Sequence, residues 1–290
     1  MGSLRLMRPA NIVTAIADIL AGLAIASAYY GTFDDLFSPL LLILATIGLY
    51  GGGVVFNDVF DADLDRKERP ERPIPRGIVT EKEGGILGIV LLAGGITAAC
   101  FVSLYPSGLL AICIALLALV YDRWGKHHPL FGPVNMGACR GLNLLLGISL
   151  VPQALYQHFY VFIVPLIYIA AITMISRGEV EGGKSSTLIT AAILYGIVMS
   201  IVLWISFLQG TIRYTLLFIL LFAYMIFMPL VTAMQQPAGK NIGKAVKAGV
   251  LALILMNAAW AASFGNYFFA LIILLLLPCS LLLARIFAVT

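Results

Sequence analysis

Ten apolar windows run the length of this 290-residue chain, near residues 11–31, 38–58, 84–105, 107–121, 133–151, 158–176, 187–207, 213–234, 245–264 and 267–288. Most approach the ~20 residues that a helix needs to cross the hydrocarbon core of a bilayer. A soluble core does not explain so much apolar chain. Hydrophobic residues make up 61% of the sequence and charged residues only 11%, at a mean hydropathy of +1.01, far from the balance of a soluble domain. The windows predict an all-α multi-pass membrane protein, a single domain over 1–290. Ten crossing helices are expected; the window at 107–121 is short, so nine is the competing count.

Charge placement orients such a bundle. With the N-terminus in the cytoplasm, Arg5, Arg8 and the loops at 59–83, 122–132, 177–186 and 235–244 all face inward. Of the 18 Lys and Arg residues, Arg213 is then the one on the outer side if ten helices cross. That is the positive-inside pattern of a plasma (inner) membrane protein. The net charge of +4 follows from these loops, so it gives no reason to expect a nucleic-acid partner. Arg5 and Arg8 before an apolar run, with Ala24-Ile25-Ala26 beyond it, imitate a cleavable signal. Asp18 interrupts that run, and the charge pattern needs this helix as the first crossing, so it reads as retained. Cys100, Cys113, Cys139 and Cys279 are scattered without a CxxC, which indicates neither zinc nor a disulfide framework. The adjacent His127 and His128 read as loop residues.

Polar chemistry gathers at the cytoplasmic ends. Asn57-Asp58-Val-Phe-Asp61-Ala-Asp63-Leu-Asp65 follows directly on an apolar window, where carboxylates are costly to place and serve poorly as packing. At about 100° per residue, Asn57, Asp58, Asp61 and Asp65 fall within an arc of roughly 100°, while Asp63 points nearly the opposite way. Carboxylates on one face repel each other unless a cation lies between them. Acid and amide oxygens suit Mg²⁺, which completes its shell with water and substrate phosphate. The run Arg66, Lys67, Arg69, Arg72 and Arg76 complements such an anion. Pro70, Pro73 and Pro75 deny helix to this run, predicting an extended strap that aims its arginines back at the carboxylates. Gly51, Gly52 and Gly53 read equally as tight helix packing or as room for a ligand.

Two further elements face the same side. Ser176-Arg177-Gly178-Glu179-Val180-Glu181-Gly182-Gly183-Lys184 closes the sixth crossing as 57–65 closes the second, a repeat in position only. Tyr121-Asp122-Arg123-Trp124-Gly125-Lys126 ends the fourth. Arg140 and Asn143 lie inside the fifth helix, and a buried arginine needs a partner. The candidates are the acidic motif, an anionic ligand, or a structural salt bridge to Asp18 or Asp122.

Asn57-Asp58-x-x-Asp61-x-x-x-Asp65, with Arg-Pro-Glu-Arg-Pro-Ile-Pro-Arg-Gly at 69–77, resembles the UbiA superfamily of intramembrane prenyltransferases over most of the chain. Arg-Pro-Ala-Asn at 8–11, Gly-Leu-Tyr-Gly-Gly-Gly at 48–53 and Cys-Arg-Gly-Leu-Asn at 139–143 resemble its branch encoded in Ebo-type metabolite operons. The resemblance implies a helical bundle with a cytoplasmic active-site cap, Mg²⁺ as cofactor, and a prenyl diphosphate and an unidentified acceptor as substrates. Membrane lipid surrounds the bundle, and the operon implies partner proteins. Asn57, Asp58, Asp61 and Asp65 match the first metal motif, with Asp58, Asp61, Asp65 and Lys126 in the catalytic role. Arg72 and Lys126 match diphosphate contacts, joined at the substrate by Asn57, Tyr121, Asn11, Arg140 and Asn143. In the second motif Glu179 and Glu181 keep anionic character, while Ser176 and Gly183 replace the family's outer aspartates. Arg177 and Lys184 are expected to supply part of the missing cation's charge.

Heterolysis of an allylic diphosphate leaves an allylic cation and a highly charged anion. Metal and Arg or Lys stabilise the anion, and an apolar chamber keeps water from the cation. Tyr50, Phe56 and Tyr168 are candidate cation stabilisers, with packing as the stronger reading. The competing classes are a transporter, which places polar residues near the midplane, and an isoprenoid-binding scaffold without chemistry. Asp18, Asn135, Arg140, Asn143 and Asn257 speak for the first, and the altered second motif for the second.

Overall fold

The computed structural model describes residues 2–31, 35–126, 128–179 and 182–287, and these are helical throughout apart from turns and short links. A short α1 (Gly2–Met7) leads into α2 (Pro9–Tyr30), with Pro9 at the first turn, where its missing N–H costs nothing. Then come α3 (Phe37–Phe60), α4 (Ala62–Glu68) and α5 (Glu81–Val102), the last started by a reciprocal capping box between Thr80 and Glu83. A fourth rod spans Leu104–Gly125 around α6 (Leu109–Val120), followed by α7 (Phe131–Ile148). α8 (Pro152–His158) and α9 (Ile163–Ser176) form one rod through a tight 3₁₀ turn. The chain finishes with α10 (Ser185–Leu208), α11 (Ile212–Gln235), α12 (Gly239–Ser263) and α13 (Tyr267–Ile286).

Among the described residues, nine helical segments are long and apolar enough to cross a membrane. The rod outside that set is α7, which carries Asn135, Arg140 and Asn143. It nonetheless runs back along the fourth rod: Ser107 and Ser149 share a 2.8 Å hydrogen bond at one end, and Gly132 stands against the Gly125 carbonyl at the other. The bundle is therefore ten rods, nine of them apolar and the tenth a polar helix shielded by its neighbours. This is an integral membrane protein.

Alternating rods put Gly31, 35–36, 149–151, 209–211 and 264–266 at one end, tied by Asn266 to Ser27 (2.6 Å), Gln157 to Tyr29 (2.7 Å) and Thr211 to the Ser263 carbonyl (2.8 Å). The opposite end gathers α1, α4, the strap and the links before α7, α10 and α12, tied by the Gly183 N–H to the Pro237 carbonyl (3.1 Å). α2 and α12 are buried along most of their length. Close approach needs glycine. A Cβ on Gly22 would sit 2.4 Å from the Leu144 carbonyl oxygen, and one on Gly48 2.5 Å from that of Leu91. In the 51–53 triplet, Gly51 and Gly52 pack against Met7 and Leu92, while Gly53 borders the cavity described next.

Candidate active site

The acidic motif keeps one face through a joint. α3 ends at Phe60, Asp61 takes φ −92° and ψ 2°, and α4 continues. The N–H groups of Asp61 and Asp65 still bond the carbonyls of Asn57 (3.0 Å) and Asp61 (2.8 Å), so the helical spacing survives. Asp63 points away, its side chain 95% exposed and paired with Arg66. The strap is not extended as expected. Backbone bonds from Arg72 to Arg69, Arg76 to Arg72 and Gly77 to Ile74 fold 69–77 into successive turns. Three prolines forbid a regular helix, but turns tolerate them, and the turns bring Arg72 onto the motif.

Beneath this joint lies a cavity of about 360 Å³. Its polar end is lined by Asn57, Asp61, Asp65, Glu68, Arg8, Arg69, Arg72, Tyr121, Asp122, Ser176 and Glu179. Leu49, Val54, Ile114, Ala118, Met136 and Val246 form apolar wall, and Thr46, Tyr50, Asn11, Arg140 and Asn143 also line it. Tyr121 and Lys126 are five residues apart, which on an α-helix would face them apart. A π turn over Tyr121–Gly125 narrows that separation, with the Lys126 N–H bonded to the Tyr121 carbonyl at 3.0 Å.

Each first-motif carboxylate meets a cation from another element. Asp58 Oδ1 accepts from Arg8 Nη2 (2.7 Å) and Arg72 Nη1 (3.2 Å), and Asp65 Oδ2 accepts from the same Arg72 Nη1 (2.7 Å). Asp61 pairs with Lys126, and Glu179 lies 3.9 Å from Arg69. Burial pushes the Asp65 carboxyl up from its ordinary value, against the hydrogen bond and charge of Arg72, with Asp58 and Asp61 adding to the rise. Burial likewise raises Glu179, against Arg69, Arg8 and Arg72.

Several expected site residues are placed differently. Asp58 is buried behind the lining, where it anchors Arg8 and Arg72; Lys126 also stands behind it, holding Asp61. Arg140 does not reach the acidic motif: its Nη1 is 2.6 Å from Asp18, its Nη2 bonds Thr14, and it lies over the Tyr50 ring at 4.8 Å. Asn143 donates to Asp18 (3.0 Å) and the Ala15 carbonyl (3.0 Å), and accepts from Thr46 (2.8 Å). Arg177, expected at the second motif, is held by the carbonyls of His128 and Lys126. Lys184 precedes the first turn of α10 without a side-chain capping bond, and neither borders the cavity. Glu181 and His127 lie outside the described residues. Arg8 and Asp122 carry no site role in the sequence reading, whereas Arg69 stands there within the basic run and Tyr50 as a candidate cation stabiliser. The proline after Arg8 fixes the start of α2 and so sets Arg8 at its mouth.

The donor set fits a hard divalent cation by type, all carboxylate and amide oxygen. The Glu179 Oε1 atom is buried without a hydrogen-bond partner. Among the described residues no three acidic, His or Cys side chains converge as a ready-made metal cage, because the motif carboxylates are turned to Arg and Lys.

Residues 17–241 match the UbiA prenyltransferase family. The digeranylgeranylglyceryl phosphate synthase of Methanothermobacter thermautotrophicus is 30% identical over 208 residues, 70% of each chain. That of Sulfolobus acidocaldarius is 32% identical over 198 residues, 67% of this chain and 69% of its own. The fold matches a UbiA homologue from Aeropyrum pernix at TM-score 0.69 and 17% identity, over 87% of this chain and 97% of that one. It also matches an Archaeoglobus fulgidus homologue, bound to DMAPP and Mg²⁺, at TM-score 0.61 and 16% identity, over 87% and 99%.

Proposed function

This chain belongs to the UbiA prenyltransferase family, and on that premise we propose how its own residues carry out intramembrane prenyl transfer. The donor is a prenyl diphosphate whose head enters the polar end of the cavity, and the acceptor is a small aromatic or lipid-borne nucleophile. One observation carries this reading: Asp61, Asp65 and Glu179 gather with Arg8, Arg69 and Arg72 at the mouth of a chamber that has an apolar wall of Leu49, Val54, Ile114, Ala118 and Met136.

Arg72, Arg69, Arg8 and Lys126 grip the diphosphate oxygens, orienting the C–O bond toward the chamber. Asn57, Asp61, Asp65 and Glu179 offer the oxygens for Mg²⁺, and Asp58 fixes the strap arginine. When bound, the metal neutralises charge that develops on the leaving diphosphate. Leu49, Val54, Ile114, Ala118 and Met136 keep water from the allylic carbon until the acceptor attacks. Ser176, bordering the cavity where the family pattern has aspartate, and Arg177, held by carbonyls, favour one strong metal position and a weak second. The Lys and Arg excess at this end supports a cytoplasmic cap in the plasma membrane.

The test is Mg²⁺-dependent diphosphate release by purified protein with dimethylallyl, geranyl and geranylgeranyl diphosphates, with lipid product identified. The acceptor panel includes a phenol, a quinol and, because curated relatives are named for digeranylgeranylglyceryl phosphate, a prenylglyceryl phosphate. No release with any donor would instead favour an isoprenoid-binding scaffold serving partner proteins of the same operon.

A further inference from the structure

The cations paired with the acidic motif come from three separate elements: Arg8 from the mouth of α2, Arg72 from the strap and Lys126 from the end of the fourth rod. The side chains involved are 12–15% exposed for Arg8, Arg72, Lys126 and Asp61, and 4–5% for Asp58 and Asp65. The three cations and Asp61 thus stay open to solvent, while Asp58 and Asp65 are buried beneath them. The same cations are the groups with the chemistry to hold a diphosphate, and the same carboxylates are the ones with the chemistry to hold Mg²⁺. Arg8 adds a second sign of tension. It sits at φ 49° and ψ 69°, a left-handed conformation that L residues avoid, immediately before a proline, which narrows its choices further. Its pair with Asp58 is one of the contacts that hold it there.

We infer that the cap rests self-paired, its own Arg and Lys standing where a metal would, and that divalent ion and diphosphate enter by a joint exchange of partners. The incoming anion draws Arg72, Lys126 and Arg8 off the carboxylates, and the freed carboxylates take up the divalent ion. Either ligand alone faces a site still blocked by ion pairs; each opens it for the other. Metal and diphosphate binding are then coupled through the protein, beyond their affinity for each other in water. Linkage makes the coupling reciprocal. A less obvious consequence follows for Lys126. It is a competitor for Asp61, so removing its positive charge strengthens metal binding in the absence of diphosphate and weakens diphosphate binding.

This inference rests on the proposed diphosphate and Mg²⁺ site, and its test needs no turnover. The probes are Mn²⁺, followed by electron paramagnetic resonance, and methylene diphosphonate, with full-length protein in lipid nanodiscs. Saturating diphosphonate is expected to tighten Mn²⁺ binding to wild type about tenfold, within the usual range for coupled sites. The constant of the free Mn²⁺–diphosphonate complex is measured separately and removed. The reverse titration should give the same factor. Lys126→Met should bind Mn²⁺ alone more tightly than wild type and diphosphonate more weakly; Arg72→Gln should shift both in the same directions and serves if Lys126→Met does not fold. Equal Mn²⁺ affinity with and without diphosphonate in wild type overturns the exchange, as does unchanged or weaker Mn²⁺ binding in a folded Lys126→Met protein. Coupling without prenyl transfer from any donor would remove the proposed function and leave the exchange standing. Prenyl transfer with uncoupled binding would do the opposite.

Discussion

Arg140 offers the sharpest perturbation, because its guanidinium is paired with a carboxylate inside the bundle. Asp18 is completely buried. Its Oδ2 accepts from Arg140 Nη1 at 2.6 Å and from Asn143 at 3.0 Å, and its Oδ1 from Asn257 at 2.7 Å, tying α2, α7 and α12 together. Arg140→Met leaves that carboxylate with two amide donors and no opposite charge. Breaking one side of a buried pair costs about 3–5 kcal/mol. The two remaining amide bonds soften the loss, so about 3 kcal/mol is expected, a large share of a total stability of ~5–15 kcal/mol. Asp18→Asn strands the guanidinium and should cost a similar amount. The double variant Asp18→Asn/Arg140→Met removes both charges and keeps an amide for the neighbouring asparagines. Replacing a whole buried pair is often near neutral, so it should return to within ~1 kcal/mol of wild type. The assay is denaturant unfolding in micelles read by tryptophan fluorescence, with Trp260 buried in α12. Costs that simply add in the double variant would refute the pairing. So would a wild-type unfolding curve for Arg140→Met together with weakened substrate binding, which would make Arg140 a ligand group instead of a tie.

At the cap, Asp61→Ala is expected to abolish diphosphate release in a folded protein, whereas Asp63→Ala, an exposed residue paired only with Arg66, should stay within about twofold of wild type, since such surface pairs contribute little; both are read by release assays on folded, size-homogeneous protein. Lys184→Ala should be nearly silent in the same assay, while Arg177→Ala, which loses bonds to the His128 and Lys126 carbonyls, should lower thermal stability and disturb Lys126. Protonated carboxyls do not ligate metal, and burial raises Asp65 and Glu179, so diphosphonate-supported Mn²⁺ binding should fall on acidification at a higher pH than unburied carboxylates would give. Glu179→Gln should remove part of that fall, and a midpoint at the ordinary aspartate value would contradict the burial argument.

The fold was legible because crossing helices are written as long apolar windows and because Lys and Arg cluster in alternate links. The uncertain count traces to α7, whose polar residues lower its hydropathy while its neighbours cover it. The motif face was legible from 3.6-residue periodicity, and it survives the joint at Asp61. Contacts between elements distant in sequence left no such signal. Nothing local announces that Arg8 meets Asp58 fifty residues on, or that Asp18 satisfies Arg140, although Asp18 had been one of the candidates. The strap was misread as extended because proline excludes helix without choosing between an extended chain and turns. The spacing of Tyr121 and Lys126 illustrates a different gap. Five residues on a regular helix would separate them by about 140°, and the π turn narrows that separation.

The two sets of ion pairs in this bundle have the same chemistry and different fates, and exposure decides which. The Asp18 carboxylate is wholly buried against an arginine side chain 5% exposed, with two amides completing its shell. Far from water, no outside ion can offset the cost of parting such a pair, so it stays a cross-link. At the cap, Asp61 and Lys126 are 15% and 13% exposed, and Arg72 and Arg8 12% and 14%. Water reaches the cap's cations and Asp61, although Asp58 and Asp65 are themselves buried, and a single Arg72 nitrogen is divided between those two carboxylates. A multivalent anion arriving there with a divalent cation offers each partner a stronger counter-charge than it has. Polar residues within the crossings had suggested a transport path. Asp18, Arg140, Asn143 and Asn257 instead bond one another as a tie between helices, and that tie together with the ion pairs at the cavity's polar end favours chemistry at the membrane edge over a transport path.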